Sequence, residues 1–93
     1  MAYRLCYHPD VAEEDLPEIP KNMQERIRKA IEERLLVGPG KYGEPLRRGL
    51  YGYRKLRVGD YRVIYKVDKK NIVIFKIGHR KEAYCQAYLR IEN

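Results

Sequence analysis

The chain has 93 residues, of which 44% are apolar and 35% charged, and its 20 Lys and Arg outnumber 13 Asp and Glu for a formal net charge of +7. That length allows one domain with a modest core and excludes a second. The excess charge is concentrated. Residues 47–62, "RRGLYGYRKLRVGDYR", carry six basic residues and a single acid, so one face should be strongly positive and suited to a polyanion such as nucleic acid or to an acidic partner.

In chain order, "YRLCYH" (3–8) alternates Tyr3, Leu5 and Tyr7 with more polar neighbours, which predicts a strand ended by Pro9. "PDVAEEDLPEI" predicts a short acidic helix stopped near Pro17, and Pro20 can open a second helix, since the first helical positions tolerate proline. Met23, Ile27, Ile31 and Leu35 then recur every four residues, flanked by Ala30 and Leu36, and form a core stripe. "VGPGKYGEP" (37–45) lacks the Lys-Ser or Lys-Thr ending of a phosphate-cradling loop and is expected to be a connector. Strand patterns follow at 53–58, 61–67 and 72–78, and "RKEAYCQAYLRIEN" can close the chain as a short helix or irregular tail. The expected fold is a single α+β domain over 1–93, with an N-terminal strand and two helices packed on an antiparallel sheet of about four strands.

Cys6 and Cys85 have neither metal-knuckle spacing nor the density of a disulfide scaffold, which predicts reduced, partly buried thiols and no metal site. The opening "MAYRLCYHPD" lacks a signal-peptide core and no apolar run reaches membrane-spanning length, so the expectation is a soluble, cytoplasmic protein without a membrane partner.

The hairpin "YRKLRVGDYRVIY" sharpens the picture. A two-residue Gly59-Asp60 turn of the type II′ kind places Arg57 opposite Arg62, Lys55 opposite Ile64 and Tyr53 opposite Lys66. Lys55, Arg57, Arg62 and Lys66 then share one face, and Leu56, Val58, Tyr61, Val63 and Tyr65 form the core side. Extending the same register through "DKKN" puts Ile77 beside Arg62 and His79 on the basic face, with Phe75 and Val73 in an apolar half covered by Tyr84, Tyr88 and Leu89 of the tail. Like charges directly opposite one another destabilise a sheet, so the Arg pair has the character of an anion site; the alternative is that both side chains splay into solvent or pair with helix glutamates.

"PLRRGLYGYRKLRVGDYRVIYKVDKKNIVIFKIGHRKEAY" (45–84) resembles the RelE/ParE toxin superfamily, with "YRKLRVGDYRVIY" and "IGHRKEAY" as its landmarks. The resemblance implies the toxin of a type II toxin-antitoxin system, with a cognate antitoxin, the ribosome and mRNA as partners. RelE-type members are ribosome-dependent endoribonucleases (mRNA interferases) that cut mRNA in the decoding site; the alternative is a ParE-type, non-catalytic inhibitor of DNA gyrase. By motif, the resemblance makes Lys55 a catalytic lysine, Arg62 the arginine at the scissile phosphate, and Arg80 and Tyr84 the C-terminal catalytic pair, which favours RelE.

The chemistry agrees. Cleavage of RNA by its own ribose 2′-hydroxyl needs alignment, a base, stabilisation of an anionic phosphorus and protonation of the leaving oxygen, but neither metal nor cofactor. Base candidates are Lys55 and His79; His79 is also a candidate acid, or else a strand-end histidine bonded to backbone. Arg62 and Arg80 serve as electrostatic stabilisers, since arginine rarely yields its proton. Tyr84 either stacks on a base or packs in the core. Arg47, Arg48, Arg54, Arg57 and Lys66 are candidate RNA- or phosphate-binding residues.

Overall fold

The computed structural model describes residues 3–47 and 49–92. Strand β1 (Arg4–Tyr7) leads into a helical turn at Val11–Asp15 and a tighter one at Leu16–Glu18, followed by helix α1 (Lys21–Ala30), which widens over Ile31–Leu35. The short helix α2 (Pro39–Tyr42), strands β2 (Glu44–Pro45), β3 (Arg54–Val58), β4 (Tyr61–Asp68) and β5 (Asn71–His79), and helix α3 (Arg80–Glu92) complete the chain.

The five strands form one sheet in the order β1-β5-β4-β3-β2, antiparallel except for β1, which runs parallel to β5. This is the expected α+β fold with one more strand, because the stretch expected to be a mere connector contains α2 and the edge strand β2. The three central strands lie within a residue of their sequence-predicted bounds. Both cysteines are exposed rather than partly buried.

One face of the sheet carries the main core: Leu56, Val58, Val63, Tyr65, Ile72, Ile74 and Ile77 pack against Val11, Ile27, Ala30, Ile31 and Leu35. A strict four-residue stripe drifts around a helix of about 3.6 residues per turn. The widening at Ile31–Leu35, where Leu36 N–H donates to the Ile31 carbonyl at 3.3 Å, reduces that drift and keeps Leu35 on the sheet. The opposite face is covered by α3, whose Ala83 and Ala87 pack with Ile64, Phe75 and Leu50.

β3 and β4 pair through Gly59-Asp60 in the expected register, with Arg57 opposite Arg62, and Gly59 takes φ 60° as the first turn position requires. Between β4 and β5 the register slips at Ile64/Tyr65: Tyr65 pairs with Ile74 but Ile64 with Lys76, leaving Phe75 without a partner. Beyond this bulge every pairing differs from the sequence expectation by one residue, so Gly78, not Ile77, stands beside Arg62 and His79 stands beside Tyr61.

The buried polar groups gather at one place. Asp15, fully buried, accepts from Lys76 Nζ at 2.7 Å and from the Ile77 N–H at 2.9 Å, and Arg90 reaches both its carboxylate oxygens at 3.0 and 3.1 Å. Arg90 also donates to the Phe75 carbonyl at 2.8 Å. Burial works against the Arg90 charge, but the Asp15 carboxylate outweighs it and leaves the guanidinium more firmly protonated than usual.

Candidate functional site

On the α3 side of the sheet, at its hairpin end, an open cleft of about 450 Å³ is lined by Tyr42, Glu44, Lys55, Arg57, Asp60, Arg62, Arg80, Lys81 and Tyr84. Lys55, Arg57 and Arg62 reach it because alternate residues of β3 and β4 point to that side, and the tight turn brings the two arginines opposite each other. Arg80 and Tyr84 arrive from α3, which starts at the residue after β5 with no connecting loop.

Arg62, Arg80 and Lys55 each have specific contacts. Arg62 Nη1 donates to the Gly59 and Tyr61 carbonyls at 3.1 and 3.0 Å, fixing its guanidinium beside the turn. Arg80 N–H donates to the Asp60 carbonyl at 2.9 Å, and its side chain meets the Asp60 carboxylate at 2.9 Å. The Arg80 guanidinium in turn holds the Asp60 carboxyl below the usual carboxylate range, first by hydrogen bonding and then by its charge. Arg80 has φ 38°, a left-handed conformation uncommon for arginine, so the backbone is strained where α3 begins. Lys55 Nζ lies 5.5 Å from the Tyr84 ring centroid and 3.7 Å from Glu44 Oε1. Among the described residues no carboxylate comes within 4 Å of Arg57 or Arg62, so the like-charged pair is left open to an external anion.

Five of the sequence-predicted residues therefore meet at one cleft: Lys55, Arg57, Arg62, Arg80 and Tyr84. The others do not. The bulge carries His79 to the opposite face, where its ring stacks edge-on against Tyr61 at 5.3 Å. Arg54 is turned into the protein, donating to the Gly40 and Gly43 carbonyls at 3.0 and 2.6 Å, so it braces the α2 loop instead of facing a phosphate. Lys66, past the ridge that α3 lays over Ile64, sits over the Tyr53 ring at 5.5 Å and lies outside the cleft. Arg47 is exposed but also outside it, and Arg48 lies outside the described residues.

Sequence reasoning missed Tyr42, Glu44 and Lys81. Tyr42 and Glu44 are placed by the α2 loop, which Tyr65 also holds: its hydroxyl donates to the Pro39 carbonyl at 2.6 Å, and a Cβ at Gly43 would overlap that hydroxyl. Lys81 follows Arg80 in sequence, but a terminal segment that reads as either helix or irregular tail does not fix where its side chain points.

A larger cleft of about 790 Å³ opens at the edge of β5 beyond the end of β1, between α3 and the turns at 11–18. Asp10, Glu14, Glu18 and Glu82 line it, and its cations Lys76 and Arg90 are already bound to Asp15, so it repels a polyanion. The smaller cleft is the one whose cations suit an anion.

A small α+β architecture with a cation-lined cleft at a β-hairpin defines a class of fold suited to an anionic ligand, and comparison with known proteins makes the family specific. Residues 5–84 match the family described as ParE toxin of type II toxin-antitoxin system, parDE, and the chain belongs to that family. It is 33% identical to Toxin RelE of Mycobacterium tuberculosis over 75 residues, 78% of this chain and 77% of that protein. It is 32% identical to Toxin RelG of the same organism over 75 residues, 78% of this chain and 86% of that one. Among solved structures, the M. tuberculosis toxin-antitoxin complex RelBE2 superposes with TM-score 0.78 at 28% identity, covering 86% of this chain and all of the matched one (100%). A double mutant of Escherichia coli toxin RelE in the free state superposes with TM-score 0.69 at 26% identity over 98% of this chain and 99% of that one. The protein is the toxin component of a toxin-antitoxin system. Among the described residues no helix is long and apolar enough to cross a membrane.

Proposed function

We propose that the chain is a ribosome-dependent endoribonuclease that cuts mRNA in the decoding site, in the cytoplasm, and that a cognate antitoxin silences it. The observation that carries this reading is the convergence of Lys55, Arg57, Arg62, Arg80 and Tyr84 on one cleft, with Arg57 and Arg62 left without carboxylate partners among the described residues. A gyrase-binding surface has no need of such a constellation.

In this reading Arg62 and Arg80 grip the scissile phosphate and stabilise the charge that grows on it as the 2′-oxygen attacks. The proton of the 2′-hydroxyl passes to the Glu44 carboxylate, which the Lys55 ammonium holds at 3.7 Å. Lys81 supplies an ammonium that can protonate the leaving 5′-oxygen. Tyr84, held under Lys55, stacks on a neighbouring base. The chemistry assigned to these groups needs no metal.

The test uses purified toxin on ribosomes programmed with a short mRNA. Cleavage should persist in excess chelator and leave a 2′,3′-cyclic phosphate and a 5′-hydroxyl, and mRNA with deoxyribose at the cut site should be inert. Arg62→Ala should slow the single-turnover rate by about 10²-fold or more with a far smaller loss of ribosome affinity, because its contact tightens in the transition state. Arg62→Lys should restore only part, since a point charge lacks the planar fork. Uncut mRNA together with inhibited gyrase would replace this reading with the ParE one.

A further inference from the structure

The contact between α3 and the sheet is made largely by small side chains. Ala83 and Ala87 are fully buried, while Tyr84 and Ile91 are only partly so, and an interface of alanines resists sliding and rotation poorly. The start of the helix is no better secured: the Arg80–Asp60 ion pair is exposed, and Arg80 is held at φ 38° against its own preference. Yet Arg80 and Tyr84, the residues α3 brings to the cleft, need close placement to act.

Among the described residues, the one buried, directional side-chain contact that fixes the helix is at its other end. The Arg90 side chain is 8% exposed, and its fork grips the Asp15 carboxylate and the Phe75 carbonyl together. Phe75 is the residue left without a ladder partner by the bulge, and Arg90 caps its carbonyl. Asp15 in turn takes the Ile77 N–H beyond the end of β1 and pairs with Lys76, tying the Val11–Asp15 turn, β5 and α3 at one point. Arg90 lies ten residues after Arg80, about 15 Å along the axis.

We propose that Asp15, Lys76 and Arg90 are positioning residues: a buried ionic latch that sets the register of α3 on the sheet and thereby places Arg80 and Tyr84 in the cleft. The assignment rests on the reading of that cleft as the RNA-cleaving site. Releasing the fork lets the strained Arg80 relax and the helix shift, and a displacement near 1 Å is enough to cost about 10²-fold in rate.

Arg90→Met keeps the length of the side chain and removes its fork, while Asp15 remains paired with Lys76. Single-turnover cleavage on programmed ribosomes should fall about tenfold or more, with ribosome affinity changed less than about threefold, and hydrogen exchange over 80–92 should accelerate. Arg90→Lys should recover part of both, and in an Arg80→Ala/Tyr84→Ala background Arg90→Met should cost nothing further. A wild-type rate in Arg90→Met, or a loss that multiplies that of Arg80→Ala/Tyr84→Ala, overturns the latch. If Arg90→Met fails to fold by circular dichroism, Arg90→Lys, which keeps the charge without the fork, carries the same test. Should the wild type leave mRNA uncut, the cleavage reading fails, and exchange alone then decides the latch: unchanged protection of α3 in Arg90→Met sinks it.

Discussion

Arg57 and Arg62 stand directly opposite each other across the β3–β4 ladder, and no carboxylate among the described residues lies between them. Like charges so placed weaken a sheet, and the loss is offset only when an anion binds between them. Arg57→Gln should therefore stabilise the free protein by about 0.2 to 1 kcal/mol in urea unfolding at low salt. The gain should fade above about 0.5 M salt as the repulsion is screened. The same substitution should weaken and flatten the salt dependence of ribosome binding, because one phosphate contact is gone. Equal stability of the two proteins at low salt would show that the arginines do not repel.

His79 was placed on the basic face by extending a regular hairpin register, and the bulge at Ile64/Tyr65 moves it across the sheet to Tyr61. His79→Gln should leave single-turnover cleavage within about threefold of wild type, whereas removing a group that supplies or accepts a proton costs about 10² or more. A hundredfold loss with intact folding would return the histidine to the site.

That displacement marks what was legible in the sequence. Period-two alternation in 53–67 and the Gly59-Asp60 turn were enough to pair Arg57 with Arg62 and to separate the basic from the core side, because a tight turn leaves little freedom in register. Nothing in "NIVIFKIGH" marks Phe75 as an extra residue, since either register buries apolar side chains. Glu44 was invisible for another reason. Its two-residue strand lies in a glycine and proline stretch with no alternation, and it is placed by the distant Arg54 and Tyr65 through the α2 loop. The same bracing explains why Arg54, one residue from the catalytic candidate Lys55, faces away from the cleft: adjacent strand residues point to opposite sides.

Tyr65 links that loop to pH. Burial pushes its phenol above the ordinary tyrosine value, against the opposing pull of Arg54. A group whose folded pKa is raised adds stability that is complete below its unfolded pKa, about 10, and lost as pH rises through the folded value. Unfolding midpoints should thus fall more steeply above pH 10 in the wild type than in Tyr65→Phe. At neutral pH the Phe variant should be less stable by about 1 kcal/mol, since the Pro39 carbonyl loses its donor. Parallel alkaline curves for the two proteins would contradict the assignment.

Asp60 bears on the opposite end of the pH scale and on substrate entry. Its carboxyl is held below the usual range by Arg80, so the pair supports the fold above the unfolded carboxylate pKa and lets go as pH falls through the lowered one. Both side chains are exposed, so the effect on stability is small, and the clearer measurement is the Asp60 titration followed by NMR. In Arg80→Ala it should move back up toward the ordinary aspartate range. In the free protein Asp60 occupies the Arg80 guanidinium, so under the proposed function the carboxylate competes with the scissile phosphate for it. Asp60→Asn keeps the backbone carbonyl that binds the Arg80 N–H and removes the charge, so inorganic phosphate should bind this variant severalfold more tightly than wild type by calorimetry at low salt. Weaker phosphate binding by Asp60→Asn would instead mean that the carboxylate is needed to aim Arg80 at its anion.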